Sequence, residues 1–277
     1  MRASITSLLL LGVLAAARPA HADPAPAKAP AKTAKADVSA AIAKLKSGKG
    51  DQIRSGLDEI RIAATGASAA APAVAELLAK GLDANLTQQA IDTLGDIESP
   101  DGSAILAQYA QHRTVALRRA AVRALTRTKG APAAPALRRA LGDQDAQIRG
   151  TASAGLGALK AKDAVPDLFV ALDHKVTEAA AAIGQLCTGD QCDKLADKLG
   201  KLPFDVVTSG LEQVLGRPAS DISDDAKIKI IGKLRELGTA EGNRFLKEVE
   251  KRLPKEASPR LRQAVDQAIK ATNGATT

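Results

Sequence analysis

Tryptophan is absent from this sequence of 277 residues, and the remaining aromatics are one tyrosine, Tyr109, and three phenylalanines, Phe169, Phe204 and Phe245. Compact cores of this length draw much of their buried area from aromatic rings. Sheets favour the same residues. A chain without them must build its core from Ala, Leu, Ile and Val, which suits closely packed helices. Alanine is also the cheapest residue to hold in a helix. Histidine and cysteine are nearly as scarce, with three and two residues. After residue 22 only His112 and His174 remain, and neither has a second histidine or a cysteine at ligand spacing. No HExxH, P-loop, GxGxxG or Ser-His-Asp arrangement accompanies them. No catalytic residue, cofactor or metal ligand is therefore expected, and the chain reads as a non-enzyme.

Long apolar runs are missing too, except at the start. Arg2 precedes an apolar run over residues 5–17, and Ala20-His21-Ala22 follows it. That is the layout of a secretory signal, and the run is too short to span a bilayer comfortably. Cleavage between Ala22 and Asp23 is expected, with localisation in the periplasm or outside the cell. No later stretch reads as a membrane span. Loss of Arg2 and Arg18 would lower the net charge from +8 to +6, a mild basicity that favours acidic partners. Residues 23–36 alternate Pro, Ala and Lys without an apolar period. Such a segment cannot bury a core and reads as a charged disordered linker.

From residue 37 the text repeats. Leu94-Gly95-Asp96-Ile97, Leu125-Thr126-Arg127-Thr128, Leu156-Gly157-Ala158-Leu159 and Ile183-Gly184-Gln185-Leu186 share one register, with starts 31, 31 and 27 residues apart. Each follows an Ala-rich stretch and precedes a turn and a second amphipathic stretch. Pro72, Pro135 and Pro166 open second stretches, where a missing N–H costs nothing. Leu106, Leu137, Leu168 and Leu195 follow at matching places. A period near 30 with two helices per period signals stacked hairpins, since one hairpin cannot bury its own apolar faces. The expected fold is all-α: an α-solenoid, or superhelix, of antiparallel helical hairpins over residues 37–273 with an irregular C-terminal cap. Residues 205–215 and 224–237 each read as a first helix, and residues 216–223 (GRPASDIS) as a loop replacing a second helix.

The segments at 147–152 (QIRGTA) and 116–121 (ALRRAA), and more weakly 52–54 (QIR), resemble the first helix of HEAT repeats, particularly the short type of phycobilin-lyase-like proteins. The resemblance covers about residues 37–206. It implies that Arg54, Arg118 and Arg149 hold the family's arginine position, which pairs with a turn aspartate, here Asp143 or Asp145. It also implies that second helices line a concave face. HEAT-like iron hydroxylases carry His-Glu pairs on successive repeats. The pairs here are His112-Arg113 and His174-Lys175, so the resemblance does not extend to that activity.

Charges can be read through the repeat. Arg119, Arg123 and Arg127 form one helical stripe, and subtracting one period reaches Gln88, Asp92 and Asp96. Arg123–Asp92 and Arg127–Asp96 are expected as bridges between repeats that set register more than stability. On the second helices one column runs Ala107, Arg138, Phe169, Ala196, and the next Gln108, Arg139, Val170, Asp197. Phe169 and Val170 are expected to be exposed beside Arg138 and Arg139, as an apolar patch rimmed by arginine that could anchor a protein partner. Cys187 and Cys192 flank a tight turn, and an oxidising compartment would join them as a structural disulfide.

The leading functional expectation is a scaffold that binds a protein partner through the concave face. The alternatives are a lyase-like or chaperone-like enzyme helper and a polyanion or nucleic-acid binder. The export signal and the lack of stacking aromatics make nucleic acid the less favoured partner. The sequence sets no oligomeric state.

Overall fold

The computed structural model describes residues 37–273. The signal and linker readings, with the Ala22–Asp23 cleavage point, lie outside them. Among the described residues there are fifteen α-helices and no strand. In order they are α1 (Ser39–Leu45), α2 (Gly50–Ala63), α3 (Ala71–Lys80), α4 (Ala84–Ile97), α5 (Ser103–Tyr109), α6 (Val115–Leu125), α7 (Ala133–Ala140) and α8 (Ala146–Ala158). There follow α9 (Val165–Asp173), α10 (Glu178–Leu186), α11 (Gly189–Ala196), α12 (Phe204–Gly216), α13 (Asp224–Leu237), α14 (Ala240–Arg252) and α15 (Pro259–Thr272).

Helix starts are written locally. Asp83 caps α4 by accepting from the Asn85 and Leu86 amides, and Asp145 caps α8 from the Ile148 amide. Thr188 and Gln191 form a reciprocal capping box on α11. Ser223, Thr239 and Ser258 cap α13, α14 and α15. Each cap satisfies amides that the helix itself leaves without partners. Pro72 and Pro166 stand second in their helices and Pro135 third, not first, but all lie within the first turn, where proline is tolerated.

The even-numbered helices stack in series from α2 to α14. The odd-numbered helices form the second layer, with α1, α3, α5 and α7 touching in sequence, and α11, α13 and α15 likewise. Between the layers runs one apolar core from Val38 to Ile269. Leu94, Leu125, Leu156 and Ile183 reach it from the first layer, and Leu106, Leu137, Leu168 and Leu195 from the second, all buried.

The C-terminal register differs from expectation. Helix α13 packs beside α11 and α15, so it belongs to the second layer. The segment 216–223 does not replace a helix; Gly216 ends α12, and residues 217–223 are the long connection of the hairpin α12/α13. Two further hairpins, α12/α13 and α14/α15, therefore complete the stack. The Leu-Gly ending of α13 imitates a first helix, but Gly238 (φ 63°) is a left-handed C-cap that closes a helix of either layer.

The run Gly50–Lys80 is also long and apolar enough, at a mean hydropathy of 1.4 over its best window, to cross a membrane by length and composition. This differs from the expectation that no stretch after the signal has the character of a membrane span. The backbone at Ala64 (φ 46°, ψ −126°) breaks the run, so α2 and α3 pack on α4 as separate helices.

Candidate interaction sites

Two of the three arginine positions, Arg118 and Arg149, wire the first layer to its turns, whereas the Arg54 side chain makes no such bond among the described residues. Arg118 donates from Nε and a terminal nitrogen to both oxygens of Asp143 (2.8 and 3.0 Å). Its other terminal nitrogen donates to the His112 and Arg113 carbonyls. Arg149, one period later, donates to the Asp143 and Gln144 carbonyls (2.8 and 3.0 Å), and its contacts are with backbone, not with an aspartate side chain. Asp145 is taken instead by Arg119, through two bonds of 3.0 and 2.5 Å. The Arg118 guanidinium beside Asp143 holds that carboxyl below the usual carboxylate range despite its partial burial. Arg127 lies 3.1 Å from Asp96, whose other oxygen accepts from Arg61 at 3.0 Å. Arg123 lies 3.5 Å from Asp92. These pairs join consecutive repeats.

The proposed patch on the second layer is not assembled. Phe169 is 5% exposed, packed in the core, with the Lys194 ammonium from α11 over its ring at 4.7 Å. Its column faces inward, as buried Ala107 and Ala196 show. Arg138, in the same column, turns outward and bridges Asp163 (3.2 Å) and Asp167 (2.5 Å) one repeat on. The neighbouring column is the exposed one: Val170 is 57% exposed, and Gln108, Arg139 and Asp197 are exposed with it. Arg139 has no partner among the described residues. Cys187 and Cys192 are joined, with Cα atoms 5.3 Å apart across the α10/α11 turn.

Among the concavities that the sequence did not reveal are two with distinct linings. The larger, about 590 Å³, lies between α12, the 217–223 connection and α14. Leu215, Val249, Leu253 and Phe245 supply apolar walls, and Arg217 and the Glu212–Arg252 ion pair sit at its rim. It forms where α12 and α14 meet less extensively than α10 and α12 do. Arg217 is held in place by its bonds to the Gly184 and Cys187 carbonyls (3.4 and 2.7 Å). Behind it the buried Lys227 donates to the Arg217 carbonyl, and burial pushes that ammonium below its ordinary range. The second concavity, about 420 Å³, lies where the turns after α5 and α7 meet and includes His112, Arg113 and Arg139. Among the described residues no group of three or more His, Cys, Asp or Glu side chains could hold a metal ion.

Two layers of stacked antiparallel hairpins tied by turn-binding arginines define an α-solenoid. Residues 71–154 match the family model for HEAT repeats. A comparison with curated proteins finds no match. Among solved structures, the chain is similar to the complex of CpcE and CpcF of phycocyanin lyase from Nostoc sp. PCC7120, at 20% identity and a TM-score of 0.44, covering 92% of this chain and 100% of that one. It is similar to an engineered protein at 14% identity and a TM-score of 0.50, covering 85% of this chain and 68% of that one. It also resembles a chain in a homology model of the full-length AP-3 complex in an intermediate open conformation, at 14% identity and a TM-score of 0.52. That likeness covers 84% of this chain and 50% of the AP-3 chain. The last two are likenesses of fold.

Proposed function

We propose that the protein is a non-enzymatic interaction scaffold that works in the periplasm or outside the cell. The observation that carries this reading is the groove between α12 and α14. A solenoid buries apolar side chains by stacking, yet here Phe245 and Leu253 are only partly buried and line a trench together with the buried Val249. Apolar walls with a charged rim suit the apolar face of a partner protein's helix or loop. The rim carries both signs, from Glu212 and Glu248 and from Arg217 and Arg252, so it fits an amphipathic segment rather than a lipid tail. The disulfide Cys187–Cys192 supports an oxidising compartment, as does the signal layout of residues 1–22.

The reading is tested in two steps. The N-terminal sequence of the exported protein should start at Asp23. A photo-reactive side chain at Gln213, inside the groove, should then cross-link one identified envelope protein in intact cells, and Phe245→Ser should abolish the product. The same product from a probe at Ile62, which is 86% exposed on α2, would show that the groove is not the contact.

A further inference from the structure

The second concavity stands on different elements from the groove and does not depend on it. Its residues separate into those that the repeat requires and those that it does not. Arg118 is required: its role recurs at Arg149, one period on. His112, Arg113 and Arg139 do not recur. One period earlier their places hold Gly81, Leu82 and Gln108, and one period later Asp143, Gln144 and Val170. Stacking therefore proceeds without a cation at any of the three positions.

These three groups are also unspent. The side chains of Arg113 and Arg139 make no hydrogen bond or ion pair among the described residues, although both line the same cavity. The His112 ring stacks on Tyr109 at 5.7 Å, and its Nδ1 accepts from the Thr114 amide at 3.1 Å. A neutral ring whose Nδ1 accepts carries its proton on Nε2, which leaves a further donor. The one carboxylate in the wall, Asp143, is saturated by Arg118 and by the Asp145 amide. The pocket thus offers two free guanidinium groups and an imidazole donor, with no free acid to balance them. Beneath them lie the methyl groups of Ala107, Ala110, Ala136 and Ala140.

We propose that this pocket binds an acidic peptide segment of a partner protein, with glutamate side chains entering it. Guanidinium groups take carboxylates through paired, charge-assisted hydrogen bonds. The alanine methyls complete the fit, because glutamate methylenes can pack on them. A bare phosphate would leave that apolar floor uncovered.

The test uses the purified full chain and a fluorescein-labelled peptide of alternating Glu and Gly, followed by fluorescence anisotropy at low salt. The peptide should bind, and Arg113→Gln with Arg139→Gln should weaken binding about tenfold or more, the loss of two charge-assisted contacts. Both side chains are exposed and unpaired, so the variant should melt as wild type does. A control of equal charge, Lys201→Gln with Lys255→Gln, should stay within about twofold, because screened charges outside the pocket act weakly. Absence of peptide binding, or equal weakening in the control, overturns the proposal. So does binding of inorganic phosphate or of phosphatidylglycerol vesicles in place of the peptide.

Discussion

Arg118 has a side chain about one-seventh exposed, and each of its three nitrogens is used: Nε and one terminal nitrogen by Asp143, the other by two turn carbonyls. The position works because a planar guanidinium can serve a carboxylate and a backbone edge together. Arg123, by contrast, is 55% exposed and meets Asp92 at 3.5 Å. The two pairs should therefore differ in worth. Asp143→Asn should cost about 2 kcal/mol at neutral pH, since it breaks a largely buried charged pair. Asp92→Asn should cost at most about 0.5 kcal/mol. Urea unfolding of both variants checks the contrast, and equal costs would refute it. The pH dependence has a definite sign. Asp143 titrates lower folded than unfolded, so its contribution is full above the unfolded value of about 3.9 and fades as pH falls below it. Asp143→Asn should lose that part of the acid destabilisation, and the stability of wild type and variant should converge at low pH.

At the scale of helices, α10 and α12 make the most extensive contact in the stack, and glycines face each other across it. A Cβ added to Gly184 would lie 2.0 Å from the Gly210 carbonyl, and one on Gly210 would lie 2.3 Å from the Ala180 carbonyl. Backbone cannot yield as a side-chain tip can. Gly210→Ala should force the helices apart and cost about 1–3 kcal/mol. Gly232→Ala, within α13 where an added Cβ meets nothing, should stabilise by about 0.5–1 kcal/mol from helix propensity. Melting temperatures that shift in opposite directions are the expected result, and a fall in both would refute the close-approach account. The same pair marks where the sequence stopped being legible. The period of 31 placed Arg127 opposite Asp96 and Leu137 in line with Leu168, because stacking repeats both charge and burial. It could not say which of two adjacent columns faces the core. Phe169 went inside because α11, arriving after a shortened period, brings Lys194 over its ring. It could not place α13 either, since an amphipathic helix with a glycine cap reads alike in both layers. The groove was hidden for a related reason: it arises from how loosely α12 and α14 meet, which no residue pattern records.

A stack in which each hairpin touches only its neighbours has stability that varies along its length. Three features converge on the α10–α12 seam: the Cys187–Cys192 disulfide, the Arg217 bonds to the Gly184 and Cys187 carbonyls, and the Gly184–Gly210 approach. On the N-terminal side the repeats are joined by the arginine–aspartate pairs from Arg61 to Arg119. On the C-terminal side lysines join the ties: Lys229 and Lys233 of α13 share Asp193 of α11 and Lys233 also reaches Asp197, alongside the Arg252–Glu212 and Arg260–Asp225 pairs. Burial works against ionisation of Asp193, but the two ammonium groups hold it below its usual range. Removing the disulfide should therefore act locally. The loop it closes is short, so reduction should cost about 2 kcal/mol, and the cost should fall on the hairpins that meet at the seam. Hydrogen exchange in reducing buffer should accelerate in α11, α12 and α13 while α4, α6 and α8 keep their protection. The Arg217 anchor should loosen with them, because its acceptor at Cys187 sits on the same turn. Uniform acceleration from α2 to α15 would mean that the stack opens as one cooperative unit, and the seam would then be no weaker or stronger than any other junction.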